Sequence, residues 1–135
     1  MELAADAVRA RYGMIIPSSN RMAEPHMARY NPEGVVTHTM RVRMTGQYFM
    51  AIDELLPKVA QASDILADTK CDPIVFHCTA NSMAEGIAGE KRIAETIEAA
   101  TGQTAATTAS ATIAAFAKLG VKRLVLVSPL SLIHI

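Results

Sequence analysis

The chain has 135 residues, enough for one domain with a core and too few for two ordinary domains. Hydrophobic residues make up 50% and charged residues 19%, a globular and not a disordered balance, and 13 Lys+Arg against 13 Asp+Glu give a formal net charge of zero. That excludes the basic footprint of a nucleic-acid binder and a basic tract for a membrane surface. No apolar run approaches the ~20 residues of a membrane span, and Met1 to Asp6 lack a secretory pattern. Cys71 and Cys78 have no CxxC spacing and make no disulfide scaffold, so a cytoplasmic protein with reduced thiols is expected.

Tyr12 to Ile16 is a short apolar run closed by Pro17, the pattern of a buried strand. Pro17-Ser18-Ser19-Asn20 has turn chemistry and three residues able to cap a helix. A helix is expected from about Met22 to Tyr30, with Pro25 tolerated in its first turn. After the turn Asn31 to Gly34, Val35 to Met44 alternates: Val36, His38, Met40 and Val42 lie on one side, Thr37, Thr39, Arg41 and Arg43 on the other. This is a second strand near a sheet edge. Ile52, Leu55, Leu56, Val59, Ala62 and Leu66 recur at spacings of three and four and mark the clearest helix, ending near Asp68. Tyr48 and Phe49 stand at its start, as side chains reaching over a pocket or, for Phe49, as a core staple.

Pro73 to Cys78 reads as a third strand covered on both faces, and Thr79 to Ser82 as a loop. A helical stretch continues to about Ala100, with Ile93, Ile97 and Ala100 on one face and Gly102 as its C-terminal cap. Thr104 to Thr108 is a short fourth strand. Ser110 to Leu119 is a fourth helix with Ile113, Phe116 and Ala117 inward, and Arg123 to Val127 a fifth strand. Strands alternating with helices join as parallel βαβ units with right-handed crossovers. The expected fold is therefore α/β, a doubly wound parallel sheet with flanking helices. Ligands of such sheets lie off the carboxyl ends of the strands, where 17–20 and 78–82 are the two loops of interest.

Cys78 stands at a strand end, ahead of a loop of small and polar residues whose N–H groups can lower a thiol pKa and admit a substrate carboxylate. The alternative is a small buried core thiol. Asn20, at a strand-to-helix junction, can donate to a carboxylate or serve only as a helix cap. Thr107, Thr108 and Ser110 follow the fourth strand with the same two roles open. His77 adjoins Cys78, but neighbouring strand residues face opposite ways, which argues against a Cys–His pair. Cys71, His77, Cys78 and His38 lack zinc-ligand spacing, so no metal is expected. Glu85, Glu90, Glu95 and Glu98 fit a solvated helix face. No GxGxxG or GxxxxGK[ST] motif is present, and the eight methionines suggest core filling.

Gly13-Met14-Ile15-Ile16-Pro17-Ser18-Ser19-Asn20 resembles the opening of maleate cis-trans isomerases, within the aspartate/glutamate racemase superfamily. Gly34 to Met44 is similar to that family's second strand, and Cys78-Thr79-Ala80-Asn81-Ser82 matches the position of its first catalytic cysteine. Ala100 to Thr104, Thr107-Thr108 and Ala117 to Leu124 also resemble arylmalonate decarboxylases of the same superfamily. The resemblance runs from about Tyr12 to Pro129 and corresponds to the N-terminal part of a family member. It implies two similar α/β lobes with the active site between them, one cysteine position in each lobe, and cofactor-independent chemistry on small carboxylic acids.

By that resemblance Cys78 is the nucleophile or acid/base. Asn20 with Pro17 and Ser18 binds one carboxylate, Thr79 and the neighbouring backbone form an oxyanion site, and Ala80, Asn81, Ser82 and Thr108 line the pocket. A cysteine here favours an isomerase or racemase over a decarboxylase, whose first-lobe position is usually glycine. Residues 1–11 are then an N-terminal tail, 12–122 the first lobe, and 123–129 the first strand of a second lobe that the chain lacks. The expected partners are a small carboxylic acid, that second lobe and a second copy in a homo-oligomer, with no nucleic acid and no membrane; the isolated fragment is expected to be inactive. Where the family often has tyrosine after Ser128-Pro129, this chain has Leu130. Leu130-Ser131-Leu132-Ile133-His134-Ile135 is what a transposase end used in preparing sequencing libraries encodes in one frame. These six residues are therefore expected to be adapter read-through.

Overall fold

Met14, Ile15 and Ile16 are almost wholly inaccessible, and alternation along an extended chain sends the first and third to one face and the second to the other. A strand covered on both faces belongs in the interior of a sheet. The computed structural model, which describes residues 8–44, 50–125 and 127, places β1 (Ala10–Pro17) there. In chain order follow α1 (Ala23–Tyr30), β2 (Val35–Val42), α2 (Ile52–Ala67), β3 (Ile74–Phe76), α3 (Thr79–Met83), α4 (Gly86–Thr101), β4 (Ala105–Thr107) and α5 (Thr108–Lys118). The four strands form an all-parallel sheet in the order β2-β1-β3-β4.

Helices cover both faces. Leu55, Val59 and Leu66 of α2 and Ile93 and Ile97 of α4 pack on Ile15, Ile74 and Phe76, and this is the larger core. Ala23 and Met27 of α1 cover Met14 and Ile16 on the opposite face. Gly13 makes the close approach of α2 to the sheet workable. A Cβ there would lie 3.1 Å from Ile74 Cγ1 and 3.2 Å from Leu66 Cδ1. The αL residue Gly102 (φ 68°) ends α4, its N–H donating to Glu98 O at 2.8 Å. No described helix is long and apolar enough to cross a membrane.

The structure departs from the sequence expectations in several places. β1 begins at Ala10, two residues before Tyr12, because its ladder with β2 already starts at Val35. The segment Thr79 to Ser82 is not a loop but most of α3, since the chain turns helical directly after Cys78. Ile113, Phe116 and Ala117 do not face inward: Ile113 is 61% and Phe116 38% exposed, and Ala109 is the buried residue of α5. The described residues of the expected fifth strand, 123–125 and 127, form no strand. The last two departures are linked. α5 lies against the three-residue edge strand β4 and α3, and with no strand beyond β4 among the described residues its second half has no described sheet beneath it. Tyr48, Phe49, Ser128, Pro129 and residues 130–135 lie outside the described residues.

Candidate active site

From β1 the chain moves out to β2 and then returns past β1 to β3, so strand order reverses between β1 and β3. The crevice off the carboxyl ends of these two strands is where parallel α/β sheets hold ligands. The turn 17–20 leaves β1 at this edge, and Cys78 stands just past β3.

The turn is tightly specified. Ser18 N–H donates to Val42 O at 2.8 Å, and Asn20 N–H to Pro17 O at 3.0 Å. Asn20 Oδ1 accepts from the N–H groups of Met22 and Ala23, each at 2.9 Å, and so caps the entry to α1. Its amide nitrogen donates to no described residue and is left to donate elsewhere. Arg41 of β2 closes the turn from the side through the carbonyls of Ser18 and Asn20, and its guanidinium also pairs with Glu24. Pro17 is half-buried and Ser18 exposed.

Cys78 is half-buried, with extended backbone (φ −146°, ψ 104°), and precedes the first turn of α3. Burial pushes its thiol above the ordinary cysteine value, while N–H groups of Asn81 and Ala80 directed at the sulfur pull the other way; burial prevails. The thiol also reaches Asn81 Oδ1 at 3.7 Å. His77 faces the other side of the sheet. Burial, with the nearby His26, lowers its pKa.

Not every sequence candidate faces the crevice. Thr79 is exposed and Ala80 half-buried, but Asn81 and Ser82 are 6% and 1% exposed. The Asn81 amide donates to Met50 O at 2.8 Å and its Oδ1 accepts from Met50 N–H at 3.4 Å, so it fastens the segment before α2 to α3. Ser82 Oγ donates to Thr79 O at 3.2 Å. Thr108 is half-buried at the start of α5, and its Oγ1 has no described partner. Thr107 caps α5 in a reciprocal box with Ser110 and donates to Glu90 Oε1 at 2.9 Å.

Glu90 is therefore half-buried and engaged, not part of a solvated face. The signal was its spacing: it precedes Ile93 and Ile97 by three and seven residues, on the same helix stripe. Arg41 gave no comparable signal, because alternation only set it on the side of β2 opposite Met40 and Val42. Cys71 is fully buried. Among the described residues no three of His, Cys, Asp and Glu gather to hold a metal ion.

No family model matches the sequence, and no curated protein matches it. Solved structures do match. The maleate isomerase Iso from Pseudomonas putida S16 is 25% identical, with a TM-score of 0.63, over 82% of this chain and 50% of that one. The Nocardia farcinica maleate cis-trans isomerase is similar at 19% identity and a TM-score of 0.70, over 82% of this chain and 49% of that one. That structure is a cysteine-to-serine variant with a covalently bound succinylcysteine intermediate. Arylmalonate decarboxylase is similar at 20% identity and a TM-score of 0.69, over 82% and 46%. The four-stranded parallel fold is thus the racemase-like fold of these enzymes, and the chain spans about half the length of the solved structures it matches.

Proposed function

We propose that the chain is the N-terminal lobe of a cofactor-independent enzyme of the aspartate/glutamate racemase superfamily, isomerising a small unsaturated dicarboxylate of the maleate type through Cys78. The observation that carries this reading is the sulfur itself: half-buried past the end of β3, at the point where strand order reverses, and directly ahead of the first turn of α3. Asn20 stands in the loop past the neighbouring strand with an amide left to donate. In this reading Asn20, with the backbone of Pro17 and Ser18, holds one carboxylate. Thr79, Ala80 and Thr108 border the other end of the substrate. Asn81 and Ser82 keep the α3 turn in shape.

The step balances without a redox partner. The Cys78 thiolate adds to one alkene carbon, and as the S–C bond forms the π pair moves to the other carbon, where the adjacent carboxylate delocalises it. Rotation about the new single bond and expulsion of the thiolate restore the alkene as the trans isomer. The raised thiol pKa makes the thiolate the scarce species, so addition accelerates as pH rises toward that value.

Protonation of the carbanion instead leaves a succinyl group on sulfur. Incubation of the chain with maleate should therefore add the mass of one maleic acid, on Cys78 by peptide mapping. Cys78→Ser should abolish the adduct and Cys71→Ser should not. An adduct that survives Cys78→Ser overturns the reading. Turnover of maleate to fumarate is expected only in a protein that supplies the other half of the fold.

Arylmalonate decarboxylase fits the fold as well as the isomerases do, which favours one second reading: the same carboxylate loop serving decarboxylation or racemisation. Carbon dioxide release from an arylmalonate, or exchange of an α-hydrogen for deuterium, by the longer protein would select it. Dicarboxylate binding with neither adduct nor turnover in the parent protein itself, and unchanged in Cys78→Ser, would instead mark a carboxylate-binding module.

A further inference from the structure

The turn that carries Asn20 is shaped by a residue of another strand. Arg41 Nη1 donates to the carbonyls of Ser18 at 3.0 Å and Asn20 at 2.8 Å, while Nη2 pairs with Glu24 of α1. Peptide units are planar and trans, so the N–H on each unit points opposite to its carbonyl. With both carbonyls drawn to Arg41, the N–H groups of Ser19 and Arg21 point away from it. Neither donates to a described residue. β2, which carries Arg41, flanks β1 on one side, and β3, which leads to Cys78, flanks it on the other.

We propose that Arg41 is a positioning residue: its fork turns the Ser18 and Asn20 carbonyls aside, so that the N–H groups of Ser19 and Arg21 join the Asn20 amide as a carboxylate receptor facing Cys78. This rests on the reading that the 17–20 turn holds a substrate carboxylate, and it names what gives the turn that capacity. In this role the guanidinium acts on the turn: Nη1 is committed to the two carbonyls and Nη2 to Glu24. The planar guanidinium fixes Nη1 on the two carbonyls while Nη2 holds Glu24; a lysine must make all three contacts from one nitrogen on a flexible stem, which does not preset them.

The test is a maleate titration of the 15N-labelled 135-residue chain, following the Ser19 and Arg21 backbone signals and the Asn20 side-chain amide, with thermal unfolding in parallel. Maleate should move all three signals. Arg41→Met should weaken binding by about tenfold or more, the loss expected when hydrogen bonds to a charged group are misdirected. Arg41→Lys should fail to restore it despite its charge, and Glu24→Gln, which leaves both carbonyl bonds, should bind as the parent does.

Parent-like binding by Arg41→Lys would show that charge alone suffices and would overturn the proposal. If Asn20→Ala weakens binding while Arg41→Met does not, the positioning role fails and the carboxylate reading survives. If Asn20→Ala binds as the parent does, or maleate moves none of the three signals, the carboxylate reading fails and the proposal falls with it. Should Arg41→Met not fold, Arg41→Lys and Arg41→Gln decide: parent-like binding in either refutes the role.

Discussion

Replacing Asn81 by Ala tests how the fold supports the site. Asn81 is 6% and Met50 3% exposed, and one side chain satisfies both the N–H and the C=O of Met50. Removing it leaves two buried backbone groups unpaired, at about 1–3 kcal/mol each. Partial rewetting and the long 3.4 Å bond to the N–H bring the expected cost to ~2–4 kcal/mol, a large share of the ~5–15 kcal/mol that holds a typical domain. With a urea slope of about 2 kcal/mol/M, the midpoint should fall by about 1–2 M. Ser82→Ala is the control: Ser82 is equally buried but loses only its bond to Thr79 O, a cost of no more than about 1 kcal/mol. Hydrogen exchange should show the Met50 amide deprotected in Asn81→Ala. The variant also removes the acceptor of the Cys78 thiol, which favours the protonated form, so alkylation of Cys78 should shift to lower pH. Stability within about 0.5 kcal/mol of the parent, with the Met50 amide still protected, would refute this account of Asn81.

Iodoacetamide should modify Cys78 increasingly above the ordinary thiol range and leave the fully buried Cys71 untouched until the chain unfolds, as mass mapping would show. Because the native state holds the Cys78 proton more tightly than the unfolded chain, that contribution to stability is complete below the ordinary thiol pKa. It is lost as pH rises through the raised value, and Cys78→Ser should flatten the alkaline decline. His77 has the opposite sign: its lowered pKa contributes stability that is complete above the ordinary imidazole value of about 6.5 and is lost as pH falls through the lowered one. The stability difference between the parent and His77→Gln should therefore change from pH 7.5 to pH 5; a constant difference would contradict the buried, neutral imidazole. Thr107→Val removes both the α5 cap and the donor to Glu90 and should cost ~1–3 kcal/mol by urea unfolding, chiefly by fraying α5.

Much of the architecture was legible because it rests on short-range pattern. Apolar residues three and four apart made α2 a helix wherever its neighbours lay, and the closed run around Ile15 and Ile16 allowed little except a buried strand. Gly102 sits where only a left-handed residue ends α4 comfortably. The position of Cys78 at a strand end followed from the same pattern. The reversal of strand order that gives this end its importance is a property of the assembled sheet.

The rest depended on partners distant in sequence. Arg41 shares a side of its strand with Thr39, and only the approach of β2 to the end of β1 makes it a brace for the 17–20 turn. Asn81 reads as a small polar residue of a binding loop until Met50, 31 positions away, claims both ends of its amide. Glu90 looks solvated until β4 brings Thr107 against it. Ile113 and Phe116 have an inward spacing, yet a helix face is buried only if something lies beneath it, and beyond β4 the described residues supply no further strand. Local spacing and residue type determined the longer elements and their order, though not α3 or the end of the sheet. The tertiary structure decided which polar side chains are braces and which are free to meet a ligand, because a hydrogen bond across the fold is specified by two segments and written in neither.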